Sequence, residues 1–413
     1  MIFRIFTLSF IFLVVIGKGY SQGGHPPNNM DEKIEYLKDL MPTLEKIERF
    51  IGRAEYKDGY NPNGGWTFDA ELGWILEDAI RYDGIYHSAT FYHYEETGAR
   101  KRVNFPEQSA RIQSYGNSFT HCDQVNDGES WQEYLAAHLC EPIENFGVGG
   151  YSVYQAFLRM MKIQETHPSK YIILNIWDDD HFRNLDSWWS IRSSKWGFCS
   201  FTMPHLRVNV ENNSIIEIPN MCQRPEDVYK LRDIEWLKEK FLDDPVLGLM
   251  LSLRKKDTLP DFSVTDAHTS FGLPSYQGDK AGSIEDLRMA HTKAAIFSTI
   301  KILDMLNEYV KSNDKELFIV LSYSFENLGK YLSGEEPFDS ELLDYLESND
   351  FQYIDLRQAH LEEFKTFNLS VKDYLFRYYI GHYAPSGNFF QAMAIRDKII
   401  QWLEPKPLPY QKR

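Results

Sequence analysis

Three short segments of this chain carry residue types that together can perform acyl transfer. Tyr115-Gly116-Asn117-Ser118-Phe119-Thr120 sets a serine in a tight Gly-x-Ser turn after a short apolar run. Asn145-Phe146-Gly147-Val148-Gly149-Gly150 supplies a glycine-rich turn, and Gly381-His382-Tyr383-Ala384-Pro385 supplies an imidazole. A serine hydroxyl is a weak nucleophile until a neighbouring base takes its proton, and the charge developing on the attacked carbonyl oxygen needs preorganised donors. Ser118 is therefore the candidate nucleophile, His382 the general base and Gly150 a backbone donor. None of these residues suffices alone. A Gly-x-Ser turn is common, a histidine before a proline also occurs as an ordinary loop residue, and a glycine can simply permit a turn.

The elements around these segments read as strand alternating with helix from Arg111 onward. Strands are predicted at Ile112 to Tyr115, Ile143 to Phe146, Tyr171 to Ile176, Leu317 to Leu321 and Tyr353 to Leu356. Helices are predicted at Glu129 to Leu139, about Val153 to Gln164, Ser283 to about Val310, Ser340 to Leu346 and Ser386 to about Leu403. Such alternation implies right-handed crossovers and a parallel sheet, and ligands of doubly wound sheets bind beyond the carboxyl ends of the strands. Ser118, Gly150, Asp178 to Asp180 and His382 then converge on one rim.

Ahead of this unit, residues 22–106 form an extension. It comprises a helix over about 31–54, which Pro42 would kink, and partly alternating aromatic segments such as Ile85 to Phe91. Residues 185–282 interrupt the alternation with a hairpin about Asn212-Asn213, a helix from about Pro225 to Phe241 and a Gly/Pro/Ser-rich loop from Leu259 to Gly282. They are read as an insertion standing over the strand ends.

At these motifs the chain resembles the SGNH hydrolase superfamily of GDSL-like esterases and lipases, as a divergent member. Gly116-Asn117-Ser118 falls on its Gly-Asp-Ser block, Asn145 to Gly150 on its second block, Trp177-Asp178-Asp179-Asp180 on its Gly-x-Asn-Asp block, and Tyr379-Ile380-Gly381-His382 on its Asp-x-x-His block. The resemblance covers about 111–184 and 283–403. It implies an α/β fold with a doubly wound, mostly parallel sheet in three layers, flavodoxin-like, carrying the extension and the insertion. It also implies a serine esterase whose oxyanion is bound by the Ser118 backbone, Gly150 and the residue at 179. Three positions depart from the pattern. Asn117 replaces an aspartate, Asp179 stands where an oxyanion asparagine is expected, and Tyr379 stands where the acid that orients the histidine is expected. A carboxylate at 179 would repel an oxyanion unless protonated or offset, and His382 would need another acceptor, such as a backbone carbonyl or Asp373.

The bulk numbers narrow the setting. Arg4 followed by an apolar run from Ile5 to Ile16 has the form of a secretory signal over residues 1–21, the rival reading being a membrane anchor. The expectation is a secreted or periplasmic protein with no further membrane contact. A formal net charge of -16 excludes an ordinary nucleic-acid surface. Of the four cysteines, Cys199 and Cys222 flank the predicted hairpin and are the expected disulfide. Asp178 to His181 are adjacent residues pointing in different directions, so no metal is expected, nor any cofactor. Trp177, Trp188, Trp189 and Trp196 crowd the candidate site and could stack sugars, although most aromatics are core. The expectation is hydrolysis of an O-acyl, possibly O-acetyl, ester on a small molecule or polysaccharide. The alternatives are acyl transfer to a sugar hydroxyl and carbohydrate binding on a degenerate scaffold. Oligomeric state is not legible.

Overall fold

The structure, a computed structural model, describes residues 29–52, 65–193, 201–254, 262–278 and 282–411. The expected signal segment, Trp196 and Cys199 lie outside these residues. Cys122, Cys140 and Cys222 are free thiols.

Two short antiparallel pairs open the strand series, β1 (Trp66–Asp69) with β2 (Gly73–Leu76) and β3 (Ala79–Arg81) with β4 (Thr90–Tyr92). Strands β5 (Ile112–Gly116), β6 (Ile143–Asn145), β7 (Tyr171–Trp177), β10 (Glu316–Ser322) and β11 (Tyr353–Asp355) then form a five-stranded sheet. Between them in sequence, β8 (His205–Asn209) and β9 (Ser214–Ile218) make a separate hairpin whose turn holds Asn213 at φ 50°. The sheet runs β11-β10-β7-β5-β6, and all its pairings are parallel. A parallel sheet buried on both faces favours continuous apolar strands, and Tyr171 to Ile176 is such a run. Alternate strand residues serve opposite faces. Ile173, Phe318 and Val320 pack with Trp131, Leu135, Ile395 and Ile399, while Ile172, Leu174, Ile319 and Leu321 pack with Phe157, Met160, Ile302 and Leu306.

Register decides what meets at the carboxyl ends. Gly116 pairs with Asn175, Ser114 with Asn145 and Ser322 with Trp177. The residues after each strand therefore emerge side by side, and the chain passes from β5 to β6 on one side and then from β6 across to β7 on the other side of β5. This is the place where a crevice opens in such sheets.

Four expectations need correction. The N-terminal helix is broken rather than kinked, with Asn29–Leu40 ending before Pro42 and Thr43 capping a second helix, Leu44–Phe50, through its side chain. The Ile85 to Phe91 segment is a 3-10 turn, Ile85–His87, followed by the short strand β4. The predicted helix from Pro225 is a 3-10 segment to Arg232, and a separate α-helix, Ile234–Phe241, starts on the Asp233 cap. The loop from Leu259 contains a helix, Val264–Ser270, opened by a reciprocal Ser263/Asp266 capping box.

The extension and the insertion share one hydrophobic cluster. Leu37, Ile47 and Phe50 from the first pack with Phe201, Leu237 and Phe241 from the second, and with Trp74 and Trp188. Phe50 stacks on Phe201 with ring centroids 3.5 Å apart. Phe50→Ala is expected to lower stability by about 3–5 kcal/mol in chemical denaturation and to speed proteolysis within residues 185–282. Unchanged proteolysis there would show that the two segments pack independently.

Candidate active site

The turn after β5 is built around residue types that permit it. Gly116 has φ 150°, and a Cβ there would run into Thr120 and the Asn175 carbonyl. Asn117 caps the next turn, its Oδ1 accepting from the Phe119 N–H at 2.8 Å while its carbonyl accepts from Thr120 and His121. Ser118 opens this turn, Ser118–His121, and is 6% exposed.

Arg100, from the N-terminal extension, locks the turn from beneath. Its guanidinium donates to the His121, Cys122 and Val125 carbonyls at 2.6, 2.8 and 2.6 Å and to Asp127 at 2.9 Å. Asn145 at the end of β6 reaches the same turn, donating to the His121 carbonyl. The Val148 N–H donates to the Gly116 carbonyl, so the glycine-rich loop lies directly against the serine turn.

The imidazole of His382 meets the serine. Its Nε2 lies 2.8 Å from Ser118 Oγ, and its ring tilts against Phe119. Burial lowers the His382 pKa from 6.5, with Asp123 and Asp83 opposing that shift and Arg183 and Arg81 adding to it.

Gly150 has φ 78°, and a Cβ on it would lie 3.1 Å from Trp189 and 3.3 Å from Trp74. The Gly150 and Ser118 N–H groups have no hydrogen-bond partner among the described residues.

Asp179 is clamped between two guanidinium groups, Arg183 at 2.9 Å and Arg192 at 2.6 Å. Burial pushes this carboxyl up, but Arg192 and Arg183 outweigh it and hold its pKa below the usual value. The charge expected to repel an oxyanion is thus compensated in place. Asp180 accepts from Asn117 Nδ2 at 2.7 Å and from Arg183 at 2.9 Å. Burial raises the Asp180 pKa to about 8, and the Asn117 amide donates to it, a bond that a carboxylate at 117 could not make. Asp178 instead accepts from Ser324 and Asn327, tying β7 to the helix after β10. Asp179 and Asp180 thus share Arg183, while Asp178 has a separate set of partners.

Other sequence candidates lie elsewhere. Tyr379 donates its hydroxyl to the Tyr323 carbonyl at 2.8 Å, and the Asp373 carboxylate accepts from Ser370, the cap of its own helix, so neither orients His382. The residue that contacts His382 Nδ1 is Gln124, which sequence reasoning missed. Its only signal was position, six residues after the serine. Trp188 is fully buried in the core and offers no sugar platform, while Trp177 is half-buried and stacks on Phe119.

Comparisons with known proteins add little to this geometry. No protein family matches the chain, and no curated protein matches it. The structure is similar to a solved structure from Desulfitobacterium hafniense DCB-2 described as a lipolytic protein of the G-D-S-L family. The identity is 10% and the TM-score 0.30, with 71% of this chain and 98% of that one covered.

Replacing Arg100 by methionine leaves Asp127 and three carbonyls without their buried donor, so stability should fall by about 3–5 kcal/mol in chemical denaturation. A loss below about 1 kcal/mol would contradict its role as the lock beneath the turn.

Proposed function

We propose that this protein is an exported serine ester hydrolase of the SGNH type, acting on a small O-acyl ester, with a carbohydrate as the alcohol portion. The observation that carries the reading is the 2.8 Å contact between Ser118 Oγ and His382 Nε2 at the carboxyl rim of the sheet. Nucleophile and base within hydrogen-bond reach are the first requirement for serine acyl transfer.

In this mechanism His382 Nε2 takes the Ser118 proton as Oγ attacks the ester carbonyl carbon. The negative charge on the carbonyl oxygen is received by the Ser118 and Gly150 N–H groups, which have no other partner among the described residues. The imidazolium then returns the proton to the departing alcohol as the C–O bond breaks, leaving an acyl-Ser118. Water, deprotonated by the same nitrogen, attacks the acyl carbon, and that proton passes to Ser118 Oγ as its bond to the acyl carbon breaks, releasing the acid and the free serine. Asp179 has no proton to handle in this scheme, and it holds Arg183 and Arg192 beside the site.

A small acyl group is favoured by the close approach of Trp189 and Trp74 to Gly150. Export is supported by the apolar run after Arg4, and a sugar alcohol by that export and the aromatic content of 15%. The doubly wound, three-layer description of the fold belongs to the same proposal, supported by the strand order and by helices on both faces.

The purified protein should turn over 4-nitrophenyl acetate, and Ser118→Ala and His382→Ala should each lower kcat about a thousandfold or more. Turnover that survives the serine substitution would overturn the assignment. Because the base must be neutral and its pKa is lowered, kcat/KM should rise with pH through a group below 6.5 and be level at neutral pH. A limb centred above 6.5 would contradict this.

A further inference from the structure

We propose that Gln124 is the positioning residue for His382. In this assignment a neutral amide fixes the tautomer of the histidine, and the negative charge near the ring comes from other side chains. The proposal rests on the reading of Ser118 and His382 given above.

Gln124 Oε1 faces both donors of the same residue, the His382 backbone N–H at 2.6 Å and Nδ1 at 3.1 Å. The orientation of the amide is fixed at its other end, where Nε2 donates to the Asp83 carbonyl at 2.9 Å. A flipped amide would set oxygen against the Asp83 carbonyl oxygen and N–H against the His382 backbone N–H, losing both of those bonds. Oε1 can only accept, so Nδ1 carries the proton of the neutral ring. Nε2 is then left as the acceptor facing Ser118 Oγ.

The surroundings are shaped for this contact. Gln124 has φ 74°, and its N–H donates to the Tyr92 hydroxyl at 2.7 Å. Gly381 has φ 123°, and a Cβ there would lie 2.7 Å from Gln124 Oε1, so a side chain at 381 would push the amide away from the ring.

The usual acid in such an arrangement both orients the ring and lends it a full charge. Here the two duties are divided. The amide orients, while the Asp123 and Asp83 carboxylates raise the basicity of His382 against burial and against Arg183 and Arg81. Asp123 is itself engaged by Arg81 and His121. During attack the proton moves from Ser118 Oγ to Nε2, and Nδ1–H stays donated to an oxygen that cannot take it.

The test uses the purified protein carrying 15N-labelled histidine, with Gln124→Met to remove the acceptor and Gln124→Glu to replace it by a carboxylate. In the unsubstituted protein, 15N NMR should show neutral His382 protonated on Nδ1. Gln124→Met should release that preference and lower kcat for 4-nitrophenyl acetate at least about tenfold with KM little changed. Gln124→Glu should retain turnover and move the acid limb of kcat/KM upward by about one pH unit or more. An unsubstituted His382 protonated on Nε2, or a folded Gln124→Met protein with unaltered kcat and pH profile, would overturn the proposal. If Gln124→Met does not fold, an unmoved acid limb in Gln124→Glu overturns it instead. Absence of turnover in the unsubstituted protein, or turnover that survives Ser118→Ala, would refute the hydrolase reading, and the NMR tautomer would still decide the Gln124 contact.

Discussion

The hydrogen bond between Ser118 and His382 joins residues 264 positions apart, and most of the architecture can be understood as what holds its two ends in place. One end sits on a turn that no relaxed stretch of chain would keep by itself. It needs a glycine at 116, an asparagine cap at 117 and the buried Arg100 drawing three carbonyls together. The other end sits in the segment before helix Pro385–Trp402, which packs on the sheet beside helix Trp131–Leu139. The sheet supplies the common frame, because its register brings the serine turn, the glycine loop and the acidic segment after β7 to one rim.

The electrostatics of that rim reconcile departures that looked damaging one residue at a time. Asp179 would oppose an oxyanion if it stood alone, but Arg183 and Arg192 neutralise it. Asn117 looks like the loss of an acid, yet its amide donates to Asp180, which a carboxylate in its place could not do. Arg183 is shared by both carboxylates and lies over Trp177 and Trp189, so charge and aromatic surface are coupled at the same wall. Pairs rather than single positions carry the meaning here, since a buried charge is tolerated only with its partner.

The sheet was legible because buried parallel strands read as unbroken apolar runs, as at Tyr171 to Ile176, and because capping pairs such as Ser283 with Asp286 mark helix starts. The same signal at Ser263 and Asp266 lies within a local excess of Gly, Pro and Ser, which makes the segment read as a loop although it holds a helix. The serine and the histidine were legible from local motif spacing. Gln124 was not, because its role arises from an approach between residues 258 apart and depends on Gly381 leaving room. The common core of the extension and the insertion was equally hidden. Leu37 and Leu237 each read as ordinary amphipathic helix positions, and nothing in either segment names the other as its partner.

The most direct test of the central claim is covalent capture. The purified protein is reacted with a fluorophosphonate, and the adduct is located by peptide mass spectrometry, with His382→Ala alongside. The account predicts one adduct per chain, on Ser118, forming far more slowly when the imidazole is removed. An adduct on a different serine, or labelling of Ser118 at the same rate without His382, would contradict it.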